Sequence, residues 1–314
     1  MPTIVISEFI DEGAIGSNFV GFDVLYDPGL VDRRAELIAA LADARALIVR
    51  NRTTVDAGLL AQAPRLEAVG RLGVGLDNID VAVCAARGIP VYPATGANDA
   101  AVVEYVIAAM LILLRGAYAA TDAVLSGAWP RTQLFGREAG GKQLGLIGFG
   151  AIGRKVGACA SALGMTVCAY DPHVAVGDPV WSQPWGKVAS LDLDTLLQVS
   201  DVVSLHVPLT DATRNMLDSA RLARMKADAI LINAARGGVI DEAALAAALR
   251  ARQLGGAALD VFLEEPLSKA RAQVFADCLH LLLTPHIAGL TVESNVRVSQ
   301  MVAEKVRDRL AGGR

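Results

Sequence analysis

The chain has 314 residues, a formal net charge of −4 at pH 7 and four cysteines. This length is enough for two domains with substantial buried cores. The sequence contains no basic cluster and no apolar stretch long enough to span a bilayer, which argues against nucleic acid and membranes as partners. The N-terminus lacks the pattern of a signal peptide, and the cysteines lack metal or redox spacing. We therefore expect no metal site and a cytoplasmic protein.

Residues 1–97 alternate short apolar runs with helical patterns. This alternation predicts an α/β fold in which helices cover both faces of a parallel sheet. The predicted strands are Thr3–Ser7, Phe22–Tyr26, Ala46–Arg50, Leu66–Arg71 and Pro90–Tyr92. The predicted helices are Val31–Ala42, Thr54–Ala61 and Asn78–Arg87.

Two strand ends in this region carry candidate anion ligands. Arg50 and Arg52 follow one strand, and Arg71 with the Gly73–Gly75 loop follows another. Exposed loop amides suit a carboxylate, and Arg50 and Arg71 suit a second anion. A solvated surface position is an equally good interpretation of Arg52 but a poorer one of Arg71.

A long helix is predicted from an N-cap at Asn98-Asp99 to about Leu125, as a connector between domains. The glycine- and proline-rich loop that follows contains Trp129 and Arg131. These side chains either contact substrate or a partner subunit, or simply pack within the loop.

A glycine-rich turn follows the apolar run Leu144–Ile147 and opens a helical pattern. Gly148 permits a tight turn, Gly150 lets a pyrophosphate approach the backbone, and Gly153 lets the helix pack against the strand. Asp171, about twenty residues on, ends the next strand, where an acid binds an adenosine ribose. Since this carboxylate would repel a 2′-phosphate, the pattern predicts NAD as the cofactor instead of NADP.

A second doubly wound parallel sheet is predicted to begin with the strands Leu144–Ile147 and Met165–Tyr170. Strand–helix alternation resumes after the irregular stretch Val174–Lys187, and the further strands are Asp201–His206, Ala229–Asn233, Gly256–Val261 and Leu279–Leu283. The helices are Leu191–Val199, Ala212–Met225 and Glu242–Arg252, with a last helix, Val292–Leu310, packing on the first domain.

Ionisable and polar residues recur just past these strands, where parallel sheets bind ligands. His286 is the best acid/base candidate because imidazole titrates near neutrality. Glu265 is placed to orient its ring, and Arg236 has the planar fork that holds a carboxylate. His206 is interpreted as lining the cofactor pocket, whereas His173 and His280 are interpreted as structural.

Taken in order, six segments of the chain resemble the D-isomer-specific 2-hydroxyacid dehydrogenase family, most closely its phosphoglycerate-dehydrogenase-like branch. These segments are Arg71–Asp80, Gly145–Arg154, Ser204–Leu209, Leu231–Asp241, Ala257–Pro266 and Thr284–His286. The resemblance implies an α/β fold of two doubly wound parallel-sheet domains. An NAD-binding Rossmann domain (99–285) would be inserted in a flavodoxin-like substrate domain (1–98 and 286–314), and a homodimer would form through the NAD-binding domains.

The resemblance also implies roles for residues. The catalytic residues would be Arg236, Glu265 and His286, with Asp260 near the nicotinamide. The cofactor would contact Val74, Gly148, Gly150, Ala151, Ile152, Asp171, His206, Val207, Ala234, Ala235, Arg236, Asp260 and His286. The substrate would contact Arg50, Arg71, Gly73, Val74, Gly75 and Arg236. Val74 and Val207 stand where the branch often has threonine. Because the chain stops at Arg314, serine feedback through a C-terminal regulatory module is not expected.

The substrate is expected to be a small 2-oxo or 2-hydroxy acid with a second anionic group, such as 3-phosphoglycerate. The Arg50–Arg52 cations and the stretch His286–Ser294 also resemble sulfolactate dehydrogenases, and a hydroxypyruvate or glyoxylate reductase is a further alternative. Formate dehydrogenase, a second enzyme of this fold, has glutamine at the position of Glu265, so Glu265 argues against that activity. A non-catalytic NAD-sensing corepressor of the same fold keeps the triad, so motifs alone do not exclude it.

Overall fold

The computed structural model describes residues 2–312, and these form two compact units. One unit is discontinuous and comprises residues 2–99 together with 290–312, and the other comprises residues 100–289. The described strands and helices alternate along both units, which is the α/β class that the sequence predicts. That one unit binds the substrate and the other the cofactor stays a prediction.

The strands are short, and most of those in the two parallel sheets are buried, as expected for sheets covered on both faces. They are β1 Ile4–Ile6, β2 Val24–Tyr26, β3 Ala46–Val49, β4 Ala68–Arg71, β5 Val91–Pro93, β6 Gln143–Ile147, β7 Thr166–Tyr170, β8 Ser182–Gln183, β9 Gly186–Lys187, β10 Ala189–Ser190, β11 Val202–Leu205, β12 Ile230–Asn233, β13 Gly256–Leu259 and β14 Leu281–Leu283. Ser182–Gln183 and Gly186–Lys187 instead pair antiparallel in a separate two-stranded sheet.

Six of the twelve α-helices in residues 2–312 are capped by an aspartate whose side chain accepts a hydrogen bond from a first-turn N–H, a cap that stabilises a helix start. The twelve helices are α1 Glu12–Asn18, α2 Arg34–Leu41, α3 Ala57–Ala61, α4 Val81–Ala86, α5 Asp99–Arg115, α6 Thr121–Leu125, α7 Ala151–Ala162, α8 Leu193–Val199, α9 Ser219–Leu222, α10 Glu242–Arg250, α11 Lys269–Ala272 and α12 Val292–Gly312.

The discontinuous unit is built on a five-stranded parallel sheet of order β2-β1-β3-β4-β5. This is the flavodoxin-like order of a doubly wound sheet. One face packs against α12, which contributes Val298, Val302 and Val306 to the core, as the sequence predicts for the last helix. Val49 and Arg71 are register partners on β3 and β4, so the loops after these strands leave the sheet side by side.

The unit of residues 100–289 contains a seven-stranded parallel sheet of order β10-β7-β6-β11-β12-β13-β14. The strands that follow β6 are added first on one side of it (β7, β10) and then on the other (β11 to β14), so the strand order reverses at β6. Such a switch point is where doubly wound folds bind nucleotides, and the glycine-rich turn follows β6 directly.

Two predicted helices differ from the structure. The helix expected to reach Leu125 ends at Arg115, because Gly116 adopts a left-handed φ of 60° and a 61° bend separates α5 from the following helical pair. The helix expected over Ala212–Met225 is reduced to α9. The Thr213 hydroxyl donates to the Pro208 carbonyl, so this stretch begins as a side-chain-bonded turn.

Smaller differences have similar causes. The predicted helix Asn78–Arg87 begins only at Val81, because Asn78 uses its side chain elsewhere and Asp80 caps the helix. The strands β8, β9 and β10 were not predicted, since two residues each are too few to show a strand pattern. Among residues 2–312 no single helix is long and apolar enough to cross a membrane, although α5 and the helical segment Ala117–Leu125 meet that test as a bent pair.

Candidate active site

The glycine-rich turn after β6 leaves room where a dinucleotide would need it. A Cβ atom on Gly150 would have no neighbour within 4 Å, and α7 begins at the next residue without a side-chain cap. Its first N–H groups and positive dipole end are therefore available to phosphate oxygens. In contrast, a Cβ on Gly153 would lie 2.5 Å from the Gly148 carbonyl oxygen, so this glycine serves close packing. Ala151 and Ile152 form the first helical turn.

Asp171 is tied to the same turn. Its Oδ2 accepts the Phe149 N–H (2.9 Å) and its Oδ1 accepts the His173 N–H (3.0 Å). Each carboxylate oxygen keeps a lone pair for a ribose hydroxyl. The glycine turn, the open helix end and this oriented carboxylate together fit NAD.

His206 lies beneath the glycine turn. A Cβ on Gly148 would lie 2.4 Å from the His206 carbonyl oxygen and 3.0 Å from Val207 Cγ1, so this strand end lines the turn directly. The His206 ring shares a 3.0 Å hydrogen bond with the Ser204 hydroxyl. Burial lowers the pKa of His206 to about 4, so the ring is neutral at pH 7 and suits a wall of the pocket.

His286 and Glu265 form a hydrogen-bonded pair. His286 Nδ1 lies 2.6 Å from Glu265 Oε2, and the Phe262 N–H donates to Glu265 Oε1 at 3.0 Å. Burial alone would raise the pKa of Glu265. The His286 and Phe262 hydrogen bonds and the charges of His286 and Arg236 outweigh it and hold the pKa below its ordinary value. An ionised Glu265 orients the ring and leaves Nε2 for a substrate.

The backbone at His286 is held in an uncommon conformation by Asp260. His286 has a φ of 55°, which non-glycine residues adopt infrequently. The buried Asp260 carboxylate accepts hydrogen bonds from the Ile287 and Ala288 N–H groups, both at 2.8 Å, and from the Thr284 hydroxyl at 2.6 Å. Asp260 therefore fixes the loop that presents the imidazole, a role separate from the nicotinamide contact predicted for it.

A second polar network holds the Arg236 loop. The buried Asn233 side chain accepts the Ala235 N–H at 3.0 Å and donates to the Arg236 carbonyl at 2.9 Å. A Cβ on Gly237 would lie 1.8 Å from the Phe262 carbonyl oxygen, so this loop packs directly on the loop of Glu265. This packing places the Arg236 charge close enough to Glu265 to help lower the pKa of that carboxyl. Ala234 and Ala235 line this strand end.

Sequence reasoning missed three residues of these networks: Asn233, Thr284 and Tyr105. Each lies inside a motif or helix that was interpreted for another reason. The Tyr105 hydroxyl lies 2.6 Å from the Thr284 hydroxyl, which itself binds Asp260. The position of Thr284 directly before the Pro-His pair was the available signal, but no sequence signal joins it to Tyr105.

The discontinuous unit contains the predicted substrate residues. Arg71 is buried, and its Nη1 donates to the Leu72 carbonyl at 3.0 Å. A Cβ on Gly73 would lie 1.7 Å from this Nη1, so only glycine lets the side chain lie across the loop. The loop from Gly73 to Gly75 presents Val74 to solvent.

The two arginines after β3 differ. Arg50 is partly buried and donates to Asn295 Oδ1 at 2.5 Å, whereas Arg52 forms an exposed ion pair with Asp32. The interpretation of Arg52 as a solvated surface residue therefore fits the structure better than a ligand role. Trp129 and Arg131 are also exposed, and no packing within their loop covers them.

A Rossmann sheet with a nucleotide-fitting glycine turn after β6 and a hydrogen-bonded histidine–carboxylate pair past β13 and β14 is the arrangement of an NAD-dependent oxidoreductase. Residues 107–288 match the family described as D-isomer specific 2-hydroxyacid dehydrogenase, NAD binding domain. The chain belongs to this family and is an NAD-dependent 2-hydroxyacid dehydrogenase, which acts on the CH–OH group of its substrate.

Three individual proteins illustrate how similar the chain is to known dehydrogenases. The chain is 51% identical to a (S)-sulfolactate dehydrogenase of Chromohalobacter salexigens, over 99% of both proteins. It is 37% identical to a D-3-phosphoglycerate dehydrogenase of Synechocystis, over 99% of this chain but 55% of that protein. The structure superposes with a TM-score of 0.85 on a D-lactate dehydrogenase from Aquifex aeolicus complexed with NAD and lactic acid, at 27% identity over 98% of this chain and 96% of that one.

Proposed function

We propose that this enzyme interconverts sulfolactate and sulfopyruvate with NAD. The observation that carries this proposal is the 51% identity to a sulfolactate dehydrogenase along 99% of both chains. Phosphoglycerate dehydrogenases match at 37–41% and are covered over only 55–57% of their length. Sulfopyruvate and phosphohydroxypyruvate share a 2-oxo acid and a second anion, so both remain in the expected substrate class.

The proposed chemistry uses three side chains of the unit 100–289. Bound NAD supplies the nicotinamide ring that accepts or donates the hydride. His286 Nε2 takes the proton of the substrate hydroxyl during oxidation and returns it to the carbonyl oxygen during reduction. Glu265 keeps the imidazole oriented and stabilises its protonated form, and Arg236 binds the carboxylate of the substrate.

The two units are proposed to have different roles. We propose that the discontinuous unit of residues 2–99 and 290–312 is the substrate-binding domain predicted as 1–98 and 286–314. The unit 100–289, which includes His286, is then the NAD-binding domain predicted as 99–285. Within the substrate-binding domain, the amides from Gly73 to Gly75 are proposed to bind a carboxylate, and Arg50 and Arg71 to bind the second anion. The burial of Arg71 and the position of Gly73 against its guanidinium support this assignment.

We further propose a cytoplasmic homodimer. The free cysteines Cys84, Cys159, Cys168 and Cys278 support a reducing compartment. The segment after α5 exposes Leu125, Trp129 and Phe135, with exposed fractions of 81%, 75% and 86%. Exposed aromatic residues in one segment are typical of an interface. Phe135→Asp is expected to shift the sedimentation coefficient from dimer to monomer, and a wild-type monomer would contradict the proposal.

A steady-state assay of NADH oxidation tests the substrate. The panel is sulfopyruvate, phosphohydroxypyruvate, hydroxypyruvate and glyoxylate, each at saturating NADH. The proposal expects the highest kcat/KM for sulfopyruvate. A higher value for phosphohydroxypyruvate would assign the enzyme to phosphoglycerate oxidation instead. Equal values for hydroxypyruvate would show that the second anion is not recognised.

A further inference from the structure

Four consecutive backbone N–H groups converge on one buried carboxylate. Glu8, only 5% exposed, follows β1 and reaches the loop of residues 50–53 after β3. Its Oε1 accepts the N–H groups of Arg50 and Thr53, both at 2.9 Å, and its Oε2 accepts those of Arg52 at 3.1 Å and Asn51 at 3.3 Å. Successive N–H groups that point into one concavity form an anion nest. Here the chain supplies the anion itself.

The loop lies beyond the end of β3, and none of these four N–H groups has a backbone acceptor among residues 2–312. Glu8 therefore supplies the acceptor that backbone N–H groups away from solvent need. The Asn78 side chain fixes the carbonyl side by donating to Thr53 at 2.7 Å and to Arg50 at 3.4 Å. The Ser7 hydroxyl adds a 3.0 Å bond to that of Thr53. The backbone that carries Arg50 is therefore held on both its donor and its acceptor side.

The Arg50 side chain is held as firmly. Its Nη2 donates to the Asn295 amide oxygen at 2.5 Å, and its guanidinium carbon lies 5.5 Å from the centre of the Phe9 ring. Asn295 lies in the first turn of α12, where Thr291 and Ser294 exchange side-chain-to-backbone hydrogen bonds that fix the helix start. Both supports of the guanidinium are neutral.

The charge of Arg50 is left for another group. No carboxylate among residues 2–312 forms an ion pair with this side chain, and its Nε is buried without a hydrogen-bond partner. Burial lowers the pKa of Arg50, and the nearby Glu8 charge opposes this effect, but guanidinium stays protonated near neutrality. Arg52, two residues on, is paired with Asp32 instead.

We propose that Glu8 is a positioning residue that holds Arg50, supported by Phe9 and Asn295, as the receptor for a tetrahedral oxyanion at C3 of the substrate. The inference rests on the proposed function for the choice of sulfonate. It adds that selectivity against 2-oxo acids with a neutral C3 group originates in a carboxylate that never touches the substrate. A substrate with a neutral C3 group would leave the oriented guanidinium without an anion to bind, and the loss of this interaction disfavours such a substrate.

The test compares Glu8→Gln with wild type on sulfopyruvate and hydroxypyruvate, using the full-length enzyme. The amide replaces one acceptor oxygen by a donor that faces the loop N–H groups. We expect KM for sulfopyruvate to rise about tenfold, with kcat changed less than about twofold. KM for hydroxypyruvate should change less than about twofold. The matched control is Glu12→Gln, which removes the same charge from an exposed position in α1 and should change neither constant.

A merely structural role predicts another pattern. Equal rises of KM for both substrates, or no change in either, would overturn the inference. Glu8→Asp should recover part of the loss, because a carboxylate returns to the nest. If Glu8→Gln does not fold, Asn295→Ala removes the Nη2 acceptor without touching the nest. It should raise KM for sulfopyruvate and not for hydroxypyruvate, and an equal effect on both would again overturn the inference.

The two proposals fail separately. If wild type reduces phosphohydroxypyruvate but not sulfopyruvate, the proposed substrate is wrong. The same Glu8→Gln comparison is then made with phosphohydroxypyruvate, and a selective rise in its KM still supports the inference. If wild type turns over sulfopyruvate and Glu8→Gln keeps its selectivity, the proposed function stands and the inference fails.

Discussion

The loops after β3 and β14 are held by the same device but present different groups. In residues 50–53 the carboxylate of Glu8 accepts four backbone N–H groups, and in residues 284–288 that of Asp260 accepts two and a hydroxyl. The first loop presents Arg50, whose charge is permanent, and the second presents His286, whose imidazole can accept and donate a proton. A buried carboxylate that binds backbone thus leaves the neighbouring side chain free for its task, which is recognition in one loop and proton transfer in the other.

The largest effect should come from the proton-transfer loop. His286→Asn is expected to lower kcat by about 10²–10⁴-fold, because the amide cannot act as an acid or base. Asparagine tolerates the left-handed backbone of this position, so the fold should remain. His280→Asn is the matched control, since His280 has a φ of 53° and is exposed. Near-normal kcat in His286→Asn would show that His286 does not transfer the proton.

Removing the support of that loop should have the next largest effect. Asp260→Asn turns one acceptor into a donor that faces N–H groups, so the loop shifts and kcat should fall about 10²-fold. The NADH dissociation constant reports whether the nicotinamide contact predicted for Asp260 is also lost. Asp228→Asn, which changes an exposed ion pair with Arg137, should leave kcat unchanged. If Asp260→Asn kept kcat while weakening NADH, the cofactor role would be the main one.

The glycine turn provides a third strand-end loop tied by a carboxylate, that of Asp171. Gly150→Ala should raise the NADH dissociation constant by about tenfold or more while the melting temperature stays unchanged, because the methyl group enters space that is open in the protein. Gly153→Ala should instead lower the melting temperature, since its methyl group would meet the Gly148 carbonyl. Equal NADH affinity in wild type and Gly150→Ala would place the phosphates elsewhere.

The pH dependence of stability should report on Glu265, which bonds to the His286 side chain from the loop after β13. The pKa of Glu265 is lowered in the folded protein from the ordinary 4.5. The hydrogen bonds of its ionised form therefore stabilise the fold fully above pH 4.5 and are lost as pH falls through the folded value. Denaturant unfolding of Glu265→Gln between pH 6 and pH 3 should show a shallower loss of stability than wild type. Parallel curves would mean that Glu265 does not contribute.

The smallest effect should come from Arg52, which shares the loop of Arg50. Arg52→Ala should change the free energy of unfolding by at most about 1 kcal/mol, because both partners of its ion pair are exposed. KM for sulfopyruvate should also stay within about twofold of wild type. A rise comparable to that of Glu8→Gln would show that both cations bind the substrate and that only one was assigned correctly.

The comparison also shows where sequence reasoning succeeds. The glycine turn, the alternation of strands and helices, and the residues at strand ends were all predictable, because each depends on neighbours within about one element. Helix boundaries were less predictable. Gly116 ended a helix that the apolar pattern would continue, and Thr213 replaced the start of another with a local turn.

By itself, the sequence determined the fold class, the cofactor and the family, because these follow from short motifs and their order. Only the tertiary structure decided which carboxylate serves which loop. Glu8 is 42–45 residues from the N–H groups it binds, and Asp260 is 27 and 28 residues from Ile287 and Ala288. Such bonds depend on which strands become neighbours in the sheet, and no local pattern encodes that choice.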